Sequence, residues 1–481
     1  SLYGFTLTND VRNLFSNFSG TIENVNFVVN YAYSVSTTDS LRLGVFDRNI
    51  GTLTNVSVNI SGNTSLNNSQ DVVFGGLVAE NEGYIEYNSD TIIGSTGSLT
   101  MSGTAVLSFG GLVGENMGVI VGCYDADDTD DSQDQTTVDL SVYILDGGAM
   151  ASINIVANLN ANSQIGGLVG YNGLNGSIAN AYVTGSISSN TNNVGGVIGR
   201  NESVPSNVTI NLNASGAYID SVDIVDSEYT LTNVVSSVVL TGNNYIGGIV
   251  GYDIGGSYYN CDYQILPNSS YGISGNIYIG GISGWSDRGL FSYCSVYSYR
   301  WDYTHLDTTF TLGADIIGTN SVAGIVGSSS AQTNDNGYGV VIMNSSTNAY
   351  LSGNKNVSSG QIGNVGGMIN SDNSPNDPST SVVFNAYFIG KIDGHVTYTS
   401  NLEQSVNIGI GMGSIITNNV YSIILTDSDT MIGLYQNNIY INNNDTWING
   451  TSWAVDSAIN GGYNYILNPN GDAPLFELAP S

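Results

Sequence analysis

One short element recurs along this chain and constrains its fold more than any other feature. It has the form apolar–Gly–Gly–apolar–apolar–small: FGGLVA at Phe74–Ala79, FGGLVG at Phe109–Gly114, IGGLVG at Ile165–Gly170 and VGGVIG at Val194–Gly199. It continues as IGGIVG at Ile246–Gly251, IGGISG at Ile279–Gly284, VAGIVG at Val322–Gly327 and VGGMIN at Val365–Asn370, with a degenerate IGIGMG at Ile408–Gly413. The residue after the first apolar one falls at 75, 110, 166, 195, 247, 280, 323, 366 and 409, so the steps are 35, 56, 29, 52, 33, 43, 43 and 43. Self-similarity at such periods marks a solenoid, in which each repeat buries its apolar face against its neighbours. The two long steps are expected to hold either an additional degenerate coil or a loop.

Between markers the chain runs in short stretches rich in Val, Ile and Tyr bounded by Gly and Asn, such as Val222–Leu240. Stretches of this kind read as strands. Helix-forming periodicity is absent, and Gly interrupts every candidate. The Gly pairs are expected at tight corners or close backbone approaches, with a positive-φ residue recurring at a corner of every coil. A second column follows the markers as Asn–small–Tyr, at Asn180–Tyr182, Asn348–Tyr350, Asn385–Tyr387 and Asn419–Tyr421. Cys261 and Cys294 each lie 14 residues after their marker, at 247 and 280, so they should stack in consecutive coils. The pair is read as either a buried thiol stack or a disulfide, since one strand spacing suits both. Cys123 is expected in the same inward slot.

The charge balance excludes some partners. Eight Lys and Arg stand against 40 Asp and Glu, a net charge of -32. Binding to nucleic acid requires cations that neutralise phosphates, so it is excluded, as is binding to an anionic membrane surface. Charged residues make up only 10% of the chain, which leaves Asn, Ser, Thr, Tyr and Gly to cover the surface, as in extracellular repeat proteins. No apolar run approaches 18 residues, so membrane insertion is not expected. The sequence opens without Met and without a basic-then-apolar leader, consistent with a secreted chain whose signal segment has been removed.

The Gly–Gly–Leu–Val–Gly element, followed by a Gly turn and an Asn–Cys/Ala–Tyr strand, resembles the GLUG motif of large repetitive surface proteins. These include adhesins of the filamentous-haemagglutinin type. The resemblance covers roughly residues 71–425, and the ending at Thr451–Leu467 is similar to one common behind such repeats. It implies an all-β fold, a parallel β-solenoid of the right-handed β-helix kind, at the cell surface. On this reading residues 1–40 are an N-terminal cap, 41–436 the solenoid, and 437–481 a C-terminal cap or docking segment.

Few residues carry chemistry. The acidic run contains Asp125, Asp127, Asp128, Asp130, Asp131 and Asp134, and it is read first as a solvated loop and second as a calcium site. No other cofactor is required. The two histidines, His305 and His395, lie outside any H-E-x-x-H pattern, and the few cations are scattered, so no enzyme is expected. Sequons are numerous, and the cluster Asn55, Asn59, Asn63 and Asn67 is the candidate for N-glycosylation. The densest aromatic stretch holds Tyr293, Tyr297, Tyr299 and Trp301, with Tyr271 and Trp285 nearby. It is read as either a structural stack or a contact surface for glycan or a neighbouring subunit. Two functions fit: a structural subunit self-associating into a surface filament, appendage or layer, and an adhesin-type module presenting loops or aromatic patches to glycans or other surface proteins.

Overall fold

A computed structural model describes residues 4–88, 93–123, 150–206, 208–212, 219–224, 229–300, 313–329, 338–353, 365–366, 369–371, 380–393, 411–412, 415–425, 431–435, 439–442, 463–466 and 475–478. All regular elements in these residues are strands. Among the described residues three sheets, parallel except for two C-terminal strands of the largest, form the sides of a stack of coils, with 9, 11 and 24 strands. The first sheet is built from strands that end in the marker, such as Val72–Gly75, Leu107–Gly110 and Asn244–Gly247. The second begins just past the glycine pair, at Val78–Asn81, Val113–Asn116 and Val169–Asn172. The third takes the longer strands, among them Ser177–Ser189 and Leu231–Thr241.

The register shows one repeat per coil whatever the repeat length. Phe74 pairs with Phe109, Phe109 with Ile165, Ile165 with Val194 and Val194 with Ile246. The column continues through Ile279 and Val322 to Val365. Gly110 pairs directly with Gly166, so the 56-residue step holds no extra coil. Its surplus lies within 124–149, outside the described residues. The 52-residue step carries part of its surplus as an antiparallel hairpin of Val208–Leu212 against Ile219–Ile224. The additional-coil alternative is therefore corrected for both long steps, because the flanking marker strands pair directly with no rung between them.

The marker glycines are needed for space, and among the described residues none of them occupies the left-handed region. A Cβ on Gly76 would sit 2.0 Å from the carbonyl oxygen of Gly111 in the next coil, and one on Gly167 would sit 2.1 Å from that of Gly196. The expectation of positive φ at the glycine corner is thus corrected: the left-handed corner is elsewhere and is occupied mainly by Asn. Asn24, Asn55, Asn180, Asn233, Asn260 and Asn344 have φ of 57, 53, 54, 53, 52 and 50°. Asn tolerates this conformation because its short polar side chain can bond locally. Ladder pairings on either side align Asn180, Asn233, Asn260, Tyr293 and Asn344 in one column, which the register extends through 385 and 419. Asn348, expected in this column, lies four residues beyond it and instead accepts a hydrogen bond from the backbone N–H of Ser298 (2.6 Å).

Inside, apolar residues stack rung on rung. Phe74, Phe109, Ile165, Val194, Ile246, Ile279 and Val322 from the first sheet are all fully buried, as are Leu77, Leu112, Leu168, Val197, Ile249, Ile282 and Ile325 at the corner. Each such side chain contributes about 1.5–3 kcal/mol by leaving water. The stack continues into the N-terminal segment: Phe15–Phe18, Thr21–Glu23 and Asn26–Tyr31 pair in parallel with Phe46–Asn49, Thr52–Thr54 and Ser57–Gly62. This makes the segment an outer coil without a marker strand. Toward the C-terminus the parallel pattern ends where Met431–Tyr435 pairs antiparallel with Ile415–Leu425, and Ile439–Asn442 with Met431–Tyr435. This antiparallel pairing covers the Tyr421–Leu425 part of the third sheet's last parallel strand.

Candidate functional site: polar ladders and an aromatic band

A buried amide ladder runs up the inside of the second sheet. Asn49 donates to Asn81 (2.8 Å), Asn81 to Asn116 (2.8 Å), Asn116 to Asn172 (2.8 Å) and Asn172 to Asn201 (2.9 Å), always from Nδ2 to Oδ1. All five side chains are fully buried. Asn201 then donates to Asp253 Oδ1 (2.9 Å), which also accepts from the Tyr258 hydroxyl (2.6 Å) and Gly256 N–H (3.1 Å). Asp253 Oδ2 accepts from Ser286 Oγ (2.7 Å). A parallel stack brings identical side chains within one strand spacing, so an amide can satisfy its neighbour where water cannot reach. Burial pushes the Asp253 carboxyl up to about 6, against the pull of its four hydrogen-bond donors. Asp262 is likewise raised to about 6 by burial while accepting from Ser295 N–H (3.0 Å) and Oγ (2.5 Å). Sequence reasoning missed this ladder, although its signal was present: Asn81, Asn116, Asn172, Asn201 and Asp253 each lie six residues after the marker position.

The left-handed column forms shorter ladders nearer the surface. Asn55 Nδ2 contacts Oδ1 of Asn24 (3.2 Å) and of Asn88 (2.6 Å). Asn233 donates to Asn180 (3.1 Å) and Asn260 to Asn233 (3.0 Å). The glycosylation candidates therefore divide. Asn55 is 9% exposed and its amide is engaged in the stack. Asn59 and Asn63 point outward from Ser57–Leu66, and Asn67 just beyond it is also exposed.

Cys261 and Cys294 lie one above the other, both fully buried, as free thiols. Their column is set by Tyr259 pairing with Ser292 and Asp262 with Ser295. The thiol-stack alternative describes this arrangement and the disulfide alternative does not. Burial raises the Cys261 thiol well above its ordinary value, with the Cys294 thiol against it. Val121 pairs with Ala179, which sets Cys123 level with Ala181 in that same column, half-buried. Nearby, Arg300 Nη1 makes a buried ion pair with Asp315 Oδ1 (2.7 Å), and Asp315 Oδ2 accepts from Tyr350 N–H (2.8 Å).

The outward face of the second sheet carries a different column: Arg48, Glu80, Glu115, Tyr171, Arg200, Tyr252, Trp285 and Ser328, in register. At one end Arg42, Arg48, Glu80 and Glu82 form ion pairs, which gathers two of the cations read as scattered. At the other end Tyr252 and Trp285 stack with centroids 4.4 Å apart and planes at 17°. Arg200 lies over Tyr252 at 5.2 Å and pairs with Glu202, which also accepts from the Tyr171 hydroxyl (2.8 Å). Beside this stack Tyr245 and Tyr278 stack at 5.1 Å and 14°, and Tyr245 meets Tyr252 edge-on at 5.3 Å. These four aromatics are half-buried.

Of the expected aromatic patch, Tyr293 occupies the left-handed column and meets Tyr259 edge-on at 5.3 Å. Tyr297 and Tyr299 lie together at 4.6 Å, with Tyr297 38% exposed. Trp301 lies outside the described residues. Half-exposed aromatics thus mark the two consecutive coils spanning Asn244–Ser298, on more than one side. Asp125, Asp127, Asp128, Asp130, Asp131, Asp134, His305 and His395 also lie outside the described residues. Among the described residues no three His, Cys, Asp or Glu side chains are grouped to hold a metal ion, and no helix is long and apolar enough to cross a membrane.

Coils of one repeat each, three parallel sheets and internal polar ladders define a parallel β-solenoid. A family model described as the GLUG motif matches residues 161–188, the coil that runs from the Ile165 marker through Asn180–Ala181–Tyr182. Residues 161–188 thus carry a GLUG motif, and the columns of the matched coil recur above and below it. No curated protein and no solved structure was found to match it.

Proposed function

We propose that this chain is a non-enzymatic, extracellular surface protein in which the solenoid is a rigid scaffold for binding. The observation that carries this reading is the pair of touching Tyr/Trp stacks, all half-buried at the surface, on two neighbouring coils. A purely structural stack has no need to concentrate Tyr and Trp in one band, whereas contact surfaces are enriched in both. The polar, charge-poor covering and the deficit of cations fit a partner outside the cell that is neither nucleic acid nor an anionic membrane. Solenoids suit this task because each rung is held by its neighbours and surface residues keep a fixed spacing.

The filament-subunit reading has one supporting feature, the regular stack itself. Against it stands the antiparallel pairing of Met431–Tyr435 with Tyr421–Leu425, which occupies part of the third sheet's last edge, one of the edges that coil-on-coil polymerisation would use. Electron microscopy of the purified chain at micromolar concentration, paired with adhesion of chain-coated beads to cells, separates the two readings. Isolated particles with saturable adhesion are expected. Ordered filaments without adhesion would contradict the proposal.

A further inference from the structure

We infer that the patch formed by Tyr245, Tyr252, Tyr278 and Trp285, flanked by Arg200 and Glu202, binds a neutral glycan chain. The inference rests on the binding-scaffold reading and names its ligand class. Its first support is backbone conformation. Tyr245 and Tyr278 have φ of 56° and 64°, in the left-handed region, in a column whose neighbouring coils place Asn193 and Ser321 there at 54° each. A bulky residue in that region is an outlier, and such strain persists where the side chain has a use that outweighs it. Both tyrosines are half-buried at the surface, so core packing is not that use.

The second support is geometry. Tyr252 and Trp285 stand one coil apart, as do Tyr245 and Tyr278, and the two stacks touch through Tyr245 and Tyr252. A coil is about 4.8 Å deep, close to the length of one pyranose residue, so successive sugars would meet successive aromatic rows. The third support is chemistry. Aromatic rings pack against the C–H faces of sugars, a role that falls to the Trp285 face turned away from Tyr252 and to the ring edges that the two stacks present, while phenol hydroxyls, the Glu202 carboxylate and the Arg200 guanidinium exchange hydrogen bonds with sugar hydroxyls. Arg200 is already paired with Glu202, and the chain carries a net charge of -32, so a phosphate- or uronate-bearing polymer would be repelled. A lipid surface would want a continuous apolar patch, whereas here every tyrosine carries a hydroxyl.

The test uses the full chain titrated by calorimetry with neutral β-linked hexasaccharides of glucose and of N-acetylglucosamine, backed by an array of other neutral glycans. The variants are Trp285→Ser and the double change Tyr245→Asn/Tyr278→Asn, which restores the residue type natural to that column. Binding should weaken by roughly tenfold or more in both variants. The melting temperature of the double variant should be unchanged or higher, an outcome that a merely structural role for the tyrosines does not produce. The inference is overturned if no neutral glycan binds at millimolar concentration, if the double variant binds like the parent, or if it melts several degrees lower. Tyr-dependent adhesion to cells without any glycan binding would overturn the glycan assignment and point to a protein partner, leaving the scaffold reading intact. Absence of adhesion as well would remove both.

Discussion

Asn172 accepts from Asn116 and donates to Asn201 and to the Gly176 carbonyl (3.0 Å), all out of reach of water. Asn172→Ala strands a donor below and an acceptor above, so a local loss of about 2–4 kcal/mol is expected. Hydrogen exchange should show it as faster opening of the coils around residue 172, because solenoid stability is a sum over neighbouring repeats. Asp253 terminates the ladder with a carboxylate where the other coils use an amide. Its pKa is near 6 in the folded chain against an ordinary 3.8, so between those values the folded state holds the proton that the unfolded chain has released. Stability from this group is therefore complete below about pH 4 and is lost as pH rises through about 6, a cost on the order of 2–3 kcal/mol at neutral pH. Asp262 acts in the same direction. Urea titrations followed at coil 247–280 should show stabilisation on going from pH 7 to pH 5. Asp253→Asn, which keeps the ladder in amide form, should flatten that slope and raise stability at pH 7. A parent chain that weakens steadily from pH 7 to pH 5 would contradict the assignment.

At the scale of the element, the glycine corner controls whether coils can close. Gly167→Ala would place a methyl group 2.1 Å from the Gly196 carbonyl oxygen, a backbone contact that no rotamer relieves. A destabilisation of about 3 kcal/mol or more is expected. The nearest obstacle for a methyl group on Gly20 is the rim of the Phe18 ring at 3.3 Å, and Gly20→Ala should cost little. Equal effects of the two changes in denaturant unfolding would show that close approach is not what the marker provides. Most elements were legible in the sequence, since apolar runs bounded by Gly and Asn became strands and the marker became a corner. Less legible was how the glycine and left-handed requirements divide. Gly meets both demands, and only the register shows Gly serving close approach while Asn carries the positive φ. The tyrosines at 245 and 278 were illegible for the opposite reason. Nothing local distinguishes a Tyr in a strand from one at a left-handed corner, and the stacking that reveals them joins residues 33 apart.

For the molecule as a whole, the account rests on one marker making one coil. Repeat length told the number of coils only in part, because Gly110 pairs directly with Gly166 and Gly195 with Gly247 across the two long steps. The long step between residues 110 and 166 is where the claim is most exposed. Ser98 and Asn154 are register partners on the outer face of the third sheet, one strand apart, and both are exposed. Converting them together, Ser98→Cys with Asn154→Cys, places two thiols within reach of a disulfide. The measurement is mild oxidation of this double variant, with the bridged peptides mapped by mass spectrometry in the folded chain. Rapid, near-complete bridging between positions 98 and 154 is the outcome the account predicts. An extra coil in that step would hold the two thiols about twice the strand spacing apart, and failure to bridge in a folded chain would contradict the one-repeat, one-coil solenoid.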